Sequence, residues 1–279
     1  MLNKVVTRSE VCSVANVRRV AAMLDLDPDA YADNGVLPRG WQFILLGADT
    51  RRSMLRDDGF PGLGLPVPDL GLPCLLLGGR TVAFNTDIPI GAGIVRESRI
   101  VGVEKKGTES SPMAVVSVRH DLRLRGEVAP AVVETQKYVL LARRGSSAGK
   151  AGETQWSDVV ASKTVVADDT MLLQYSALGF NSHKIHVDRD YARQVEGYPD
   201  LVVNGGLTTL LLTEFLRTEL NLVPLAITTR HHAPLFSGRA IRMTAERVAE
   251  SWRLRACDGS GRVCAEMQVE EQTGSGHGL

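Results

Sequence analysis

Tyr175-Ser176-Ala177-Leu178-Gly179-Phe180-Asn181-Ser182-His183-Lys184-Ile185-His186-Val187-Asp188 is followed shortly by Glu196-Gly197-Tyr198-Pro199-Asp200-Leu201-Val202-Val203-Asn204-Gly205-Gly206-Leu207. The first run gathers titratable groups. His183 and His186 share a face if the segment is helical, and both can turn inward if it is a loop. His-x-x-His-x-Asp offers three metal-ligand types, but no His-Glu-x-x-His accompanies it, and acid–base chemistry is the stronger expectation. An imidazole titrates near neutral pH and can take and return one proton within a cycle. Asn181 cannot be a base; its amide can orient a water, a hydroxyl or a carbonyl. Asp188 reads as an anchor for Tyr191-Ala192-Arg193. In the second run an apolar stretch ends in Asn-Gly-Gly and feeds an apolar helix. Glycines there expose backbone N–H groups at the positive end of the helix dipole. That arrangement suits a thioester carbonyl whose oxygen gains charge as an enolate forms.

Outward from this core, Gly206 to Leu220 carries Leu207, Leu210, Leu211 and Phe215 on one face, widened by Leu212 and Leu216. Such a face is apolar enough to be wrapped by a sheet. Strands are expected near 226–230, 239–249, 252–257 and 262–270, with Asp258-Gly259-Ser260-Gly261 as a hairpin turn. Before the core come segments at 155–161 and 170–178. The small, basic run Arg143 to Gly152 reads as a linker. In the first half, Val17, Val20, Ala21 and Leu24 give helical spacing over 14–26, closed by Asp27-Pro28. Residues 41–54 are ambiguous, and 60–79 are rich in glycine and proline and therefore irregular. Strands are expected next at about 81–84, 94–103, 113–122 and 132–141. Pro89-Ile90-Gly91-Ala92-Gly93 leads into a long strand, as does Pro234-Leu235-Phe236-Ser237-Gly238. Gly126-Glu127-Val128 likewise matches Gly261-Arg262-Val263. A duplicated helix-plus-antiparallel-sheet unit accounts for these echoes, with a longer turn at Lys105 to Ser111 absorbing the difference in spacing. No βαβ alternation, G-x-G-x-x-G or phosphate-binding loop is present, so a nucleotide-binding doubly wound fold is not expected.

Composition sets the class. The chain has 279 residues, 44% of them hydrophobic and 23% charged, which is globular rather than disordered. Lys+Arg and Asp+Glu are 32 each, so no net basic field favours nucleic acid. No stretch approaches 18 apolar residues and no leader-like h-region comes after Met1, so a cytoplasmic location without membrane contact is the expectation. Cys12, Cys74, Cys257 and Cys264 fit no zinc spacing and read as reduced thiols, although Cys257 and Cys264 flank a turn and could face each other. Gln272 to Leu279 reads as a frayed tail.

The core motif resembles the MaoC-like, hot-dog-fold acyl-thioester dehydratases and hydratases. It is most similar to the branch with mitochondrial-type 3-hydroxyacyl-thioester dehydratases and mesaconyl-CoA hydratases, some with an N-terminal dehydratase-like unit. That branch reads Tyr-Ser-Ala-Leu-Thr-Phe-Asn-x-His-Arg-Ile-His-Tyr-Asp, then Glu-Gly-Tyr-Pro-Gly-Leu-Val-Val-His-Gly-Pro-Leu. Arg230 to Gly238 is similar to its Arg-x-x-x-Pro-Leu-Phe-x-Gly stretch. The resemblance implies an α+β double hot-dog fold, antiparallel sheets each wrapped around a central helix. It implies a degenerate N-terminal unit over residues 1–145 and a catalytic MaoC-like unit over 153–272. It implies reversible loss of water from a 3-hydroxyacyl thioester of CoA or an acyl carrier protein, with no cofactor and no metal, in a homodimer. By position, His186 and Asn181 fall on catalytic places and Gly205, or its neighbour Gly206, on the oxyanion donor. His183, Tyr175, Asn204, Gly206 and Arg230 are the candidate substrate-binding residues. Three departures stand out. Gly179 replaces threonine, Asn204-Gly205-Gly206 replaces His-Gly-Pro, and Leu72-Pro73-Cys74-Leu75-Leu76-Leu77-Gly78-Gly79 lacks the arginines and tryptophan of the N-terminal motif. They point to a specialised substrate. They also keep open conjugate addition of an amine to an enoyl thioester, thioester hydrolysis, and a non-catalytic thioester-binding subunit.

Overall fold

The structure is a computed structural model that describes residues 4–142 and 158–271. The expected linker at 143–152 and the tail at 272–279 lie outside the described residues. In chain order the elements are β1 (Val6–Val11), α1 (Val14–Met23), β2 (Cys74–Phe84), β3 (Gly93–Thr108), β4 (Ser111–Leu124) and β5 (Val132–Leu141). The second half contributes β6 (Val159–Val166), α2 (Asp169–Leu178), α3 (Gly205–Glu219), β7 (Pro224–His231), β8 (Ala240–Val248), β9 (Ser251–Cys257) and β10 (Val263–Glu271).

All ten strands join one antiparallel sheet in the order β1-β3-β4-β5-β2-β7-β10-β9-β8-β6. The order is a palindrome of two five-stranded halves, and β2 pairs with β7 at the seam, Val82 opposite Ile227. Duplication explains more than strand order. Ser13 caps α1 by accepting from Asn16 N, and Asp168 caps α2 by accepting from Met171 N. Gly91 N donates to Cys12 O, and Gly238 N donates to Ala167 O. Both glycines have positive φ, +92° and +72°. Gly91 therefore corresponds to Gly238, so the alignment of Pro89 with Pro234 is two residues out of step. Gly126 and Gly261 do correspond, each with positive φ in the turn before the last strand of its half. The extra length of the first half is not a long turn. It lies in the β3–β4 arms, which stay paired out to Thr108 opposite Ser111.

The halves differ in what the sheet wraps. In the second half, α3 is the central helix, and every residue from Leu207 to Leu216 is buried. Each large apolar side chain there contributes about 1.5–3 kcal/mol. The run leading into it is fixed by Val202 bridging Phe236 and by Val203 N donating to Leu235 O. The first half repeats this approach: Val36 bridges Pro89 and Leu37 N donates to Ile88 O. Beyond that point the first half makes one 3₁₀ turn, Trp41–Leu45, in place of a helix. The Trp41 indole donates to Glu214 of α3 at 2.7 Å, so the short turn leans on the long helix.

The vacated inner face of the first half is filled in two ways. Ile100, Ala114, Val116, Val118 and Leu140 form a second small core roofed by Leu63, Leu65, Val67, Leu70 and Leu72 from the irregular segment. Between this and the main core lies a polar layer. Arg80 pairs with Glu134 at 3.0 Å, and Gln42 and Gln136 also donate to that carboxylate. Strand β2 begins at Cys74, earlier than expected, because Leu75 to Leu77 pair with β5. The cysteines are free thiols. No helix among the described residues is long and apolar enough to cross a membrane.

Candidate active site

The histidine segment folds as a loop and a 3₁₀ turn rather than a regular helix. Helix α2 ends at Leu178, and Phe180 takes a positive φ of 48°, turning the chain back. Asn181 N then donates to Ser176 O, while Asn181 Oδ1 accepts from His183 N at 3.1 Å. This Asx turn commits the side-chain oxygen and leaves the NH₂ to donate elsewhere. Next come His183, Lys184 and Ile185, and His186 ends the 3₁₀ turn Lys184–His186.

His186 is buried, with 8% of its surface exposed. Its Nδ1 lies 2.7 Å from Val202 O. A carbonyl oxygen can only accept, so Nδ1 carries the proton and the basic lone pair sits on Nε2. Val202 N in turn donates to Ile185 O. The imidazole is thus clamped to the strand-like run that leads straight into α3. Helix and histidine are positioned by one hydrogen-bonded unit.

The first helical bond of α3 is Thr208 N to Asn204 O, so the N–H groups of Gly205, Gly206 and Leu207 have no helical acceptor. Asn204 does not cap them. Its Nδ2 reaches Ser176 Oγ at 3.4 Å, and its buried Oδ1 has no partner among the described residues. The two glycines meet crowded surroundings. A Cβ at Gly205 would stand 3.2 Å from Leu77 Cδ2 and 3.4 Å from His231 Nε2, and one at Gly206 would collide with the Tyr175 hydroxyl. Tyr175 is buried and stacks on Phe43 at 4.5 Å between centroids.

The first half closes the site from the other side. Gly59, at φ +75°, packs so tightly that a Cβ would lie 2.5 Å from Ser182 O. Ser182 Oγ donates to Gly59 O, Lys184 N to Asp58 O, and Lys184 Nζ to Asp57 O. His183 is buried beneath this strap, 3.7 Å from an Asp58 carboxylate oxygen, tilted against Phe60 and edge-on to His186 at 5.4 Å. Phe60 also lines an open pocket of about 500 Å³ bounded by Leu63, Leu70, Leu75 and Leu140 together with Arg56 and Asp69. The cavity and the histidines are therefore neighbours through one ring.

Structure thus brings together His186, His183, Asn181, Tyr175, Asn204, Gly205 and Gly206, on α2, the loop after it and the start of α3. Arg230 is not brought with them. On β7, Ile227 and Thr229 are buried on the α3 side, while Arg230 between Thr229 and His231 is exposed on the other face. His183 and His186 do not converge with Asp188, whose Oδ1 accepts from Tyr191 N at 2.9 Å, as its expected anchoring role requires. No cluster of three His, Cys, Asp or Glu placed to hold a metal exists among the described residues. Sequence reading misses Arg80, Glu134, Phe43, Asp58 and His231. Their only signal is an ionisable or aromatic residue inside an otherwise apolar stretch. Burial, the largest single influence, would lower the Arg80 pKa, but the attractions of Glu134, Tyr175 and Tyr138 together outweigh it and the net shift is upward. Burial, aided by Arg80, pushes His231 down to about 3, so it is neutral at physiological pH.

With this geometry in place, comparison with known proteins identifies the family. The family model described as hydroxyacyl-thioester dehydratase type 2 matches residues 40–237. The chain belongs to this family. It is 28% identical over 263 residues to the mesaconyl-C(4)-CoA hydratase of Chloroflexus aurantiacus, covering 94% of this chain and 92% of that protein. A 48-residue stretch, 17% of this chain and 16% of the relative, is 44% identical to the mitochondrial hydroxyacyl-thioester dehydratase type 2 of Schizosaccharomyces pombe. Among solved structures, a MaoC-like dehydratase from Phytophthora capsici superposes with a TM-score of 0.72 at 10% identity, covering 98% and 96% of the two chains. A Mycobacterium tuberculosis protein described as having a double hotdog fold superposes with a TM-score of 0.57 at 13% identity, covering 96% and 95%. The fold is a double hot dog, and the protein is a hydro-lyase acting on acyl thioesters.

Proposed function

We propose that this dehydratase uses His186 as its single acid–base group, acting on a 3-hydroxyacyl thioester of CoA or of an acyl carrier protein. His186 Nε2 takes the C2 proton. The electron pair moves through the enolate, whose oxygen is held by backbone N–H at Gly205. The C3–O bond then breaks, and the proton on His186 leaves with the hydroxyl as water. Asn181 supports this by offering its NH₂ to the departing hydroxyl, or to the incoming water in the reverse direction. The leucine-lined side of the pocket beyond Phe60 suits the acyl chain. The first half holds the strap and the cavity, and the second half holds the chemistry. The one observation that carries this reading is the Nδ1 bond of His186 to Val202 O. It sets the tautomer and ties the base to the helix start that would hold the developing charge.

The test is hydration of crotonyl-CoA and dehydration of 3-hydroxybutyryl- and 3-hydroxyoctanoyl-CoA, with mass spectrometry of the products. Wild type should interconvert at least one pair. His186→Ala should lose about 10³-fold in kcat with its melting temperature retained. Near-normal turnover in that variant would reject the assignment. Free thiol release would favour hydrolysis instead. An adduct formed only with added amine would favour conjugate addition, and tight binding without turnover would favour a binding subunit.

A further inference from the structure

The side chain of Tyr175 is 6% exposed, and its hydroxyl makes no hydrogen bond with any described residue. Buried phenols normally find a partner, because an unmade bond forfeits the solvation lost on burial. Its position explains what the partner would be. The ring is held by Phe43, and the oxygen stands against the first turn of α3, where a Cβ at Gly206 would overlap it. Arg80 Nη2 lies 3.2 Å from the same Cβ position, its charge paired with Glu134. The N–H groups of Gly205 and Gly206 are the orphan donors of that turn. Hydroxyl and amides therefore border one spot where several donors converge. Glycine at 206 creates this spot. The His-Gly-Pro pattern of the resembled branch would supply no N–H at that position and would place ring carbons where the hydroxyl sits.

We propose that Tyr175 is a catalytic residue whose hydroxyl joins the Gly205 and Gly206 amides in donating to the thioester carbonyl oxygen. This rests on the dehydratase reading above. The phenol loses nothing in the step. Charge moves from the C2–H bond to the carbonyl oxygen, and the Tyr175 proton stays on its own oxygen while the hydrogen bond shortens. Burial raises the Tyr175 pKa, with the nearby Arg80 opposing only in part, so the group is a neutral donor throughout the working pH range.

Tyr175→Phe removes the one oxygen and keeps the ring on Phe43. Its kcat for crotonyl-CoA hydration should fall about 100-fold, the scale of losing one oxyanion donor, with KM and melting temperature little changed. A fall below tenfold overturns the proposal. Gly206→Ala supplies an independent check, since its Cβ must displace the hydroxyl. Adding Tyr175→Phe to Gly206→Ala should restore melting temperature without restoring turnover. Recovery of turnover in the double variant would mean that the hydroxyl is only a steric neighbour, and the proposal would fall. Wild-type hydration of crotonyl-CoA is the control: its absence defeats the dehydratase reading itself, whereas its presence with an unimpaired Tyr175→Phe defeats only the role of the phenol.

Discussion

The two halves of the sheet start from one plan and end in different roles. Val36 and Val202 make matching bridges, and Leu37 and Val203 make matching backbone bonds. Just beyond these the paths part. The second half continues into the fifteen residues of α3, and the first stops after the single turn Trp41–Leu45. Where the helix is kept, its N-terminus supplies unpaired N–H groups beside a clamped histidine. Where it is lost, the first half holds instead the Arg80–Glu134 layer, the strap at Asp57 to Phe60 and an open pocket. Loss of a core helix is destabilising unless other groups fill its volume. The filling here is a polar layer plus a small apolar core roofed by an irregular segment, which leaves room that a well-packed helix would deny.

The largest test of this division is paired. His186→Ala should remove about 10³-fold of kcat, or about 4 kcal/mol of barrier stabilisation. His120→Gln, on β4 of the first half, should leave kcat within a few-fold. Equal losses would mean that chemistry is shared between the halves. The next effect is on stability. Glu134→Ala strands a buried guanidinium and should cost about 3 kcal/mol in urea unfolding. A cost under ~1 kcal/mol would show that the polar layer is hydrated rather than sealed.

Acid should then act on both halves alike. Burial lowers His120 to about 4 and His231 to about 3. Below about 6.5 the unfolded chain takes up protons that the native histidines refuse, so stability is full above 6.5 and falls as pH drops toward 4. Each histidine should contribute a loss on the order of 2 kcal/mol. The slope of urea midpoint against pH between 7 and 4.5 should flatten in His120→Gln and in His231→Gln, and an unchanged slope in either removes that residue from the account. Gly59→Ala should loosen the strap over His183. The expected cost is about 1–2 kcal/mol from the strained φ, with KM rising more than kcat falls. The smallest effect concerns the cavity. Leu75→Phe should shift preference from octanoyl toward butyryl substrates by roughly tenfold, since a methylene or two in an apolar pocket is worth ~1–3 kcal/mol. No change in preference would place the acyl chain elsewhere.

Much of the second half is readable in the chain. The Asn-Gly-Gly start and the leucine face of residues 207–216 give α3 within one residue, because an amphipathic helix and its opening are local properties. The strands from 239 to 270, and that from 132 to 141 in the first half, come from β-branched content and glycine turns in the same way. The catalytic loop is less visible. Its histidines stand out by type, but their orientation depends on Val202 O and on the strap at residues 57–60, which are distant in sequence. The repeat shows itself through the wrong pair. Prolines 89 and 234 align by eye, whereas the backbone bonds of Gly91 and Gly238 set the true correspondence. Arg230 belongs to a recognisable motif, yet strand alternation turns it to the outer face, and period-two direction is fixed only once register is known.

Local patterning in this chain determined where elements begin and end, which apolar face the central helix presents, and which side chains carry titratable chemistry. Tertiary structure decided which of them meet. The tautomer of His186, the lone hydroxyl of Tyr175 beside Gly206 and the Arg80–Glu134 pair across β2 and β5 are contacts between segments far apart in sequence. Propensity acts over a few residues, whereas the position of a proton or an unpaired donor is set by whichever group the folded chain brings within about 3 Å.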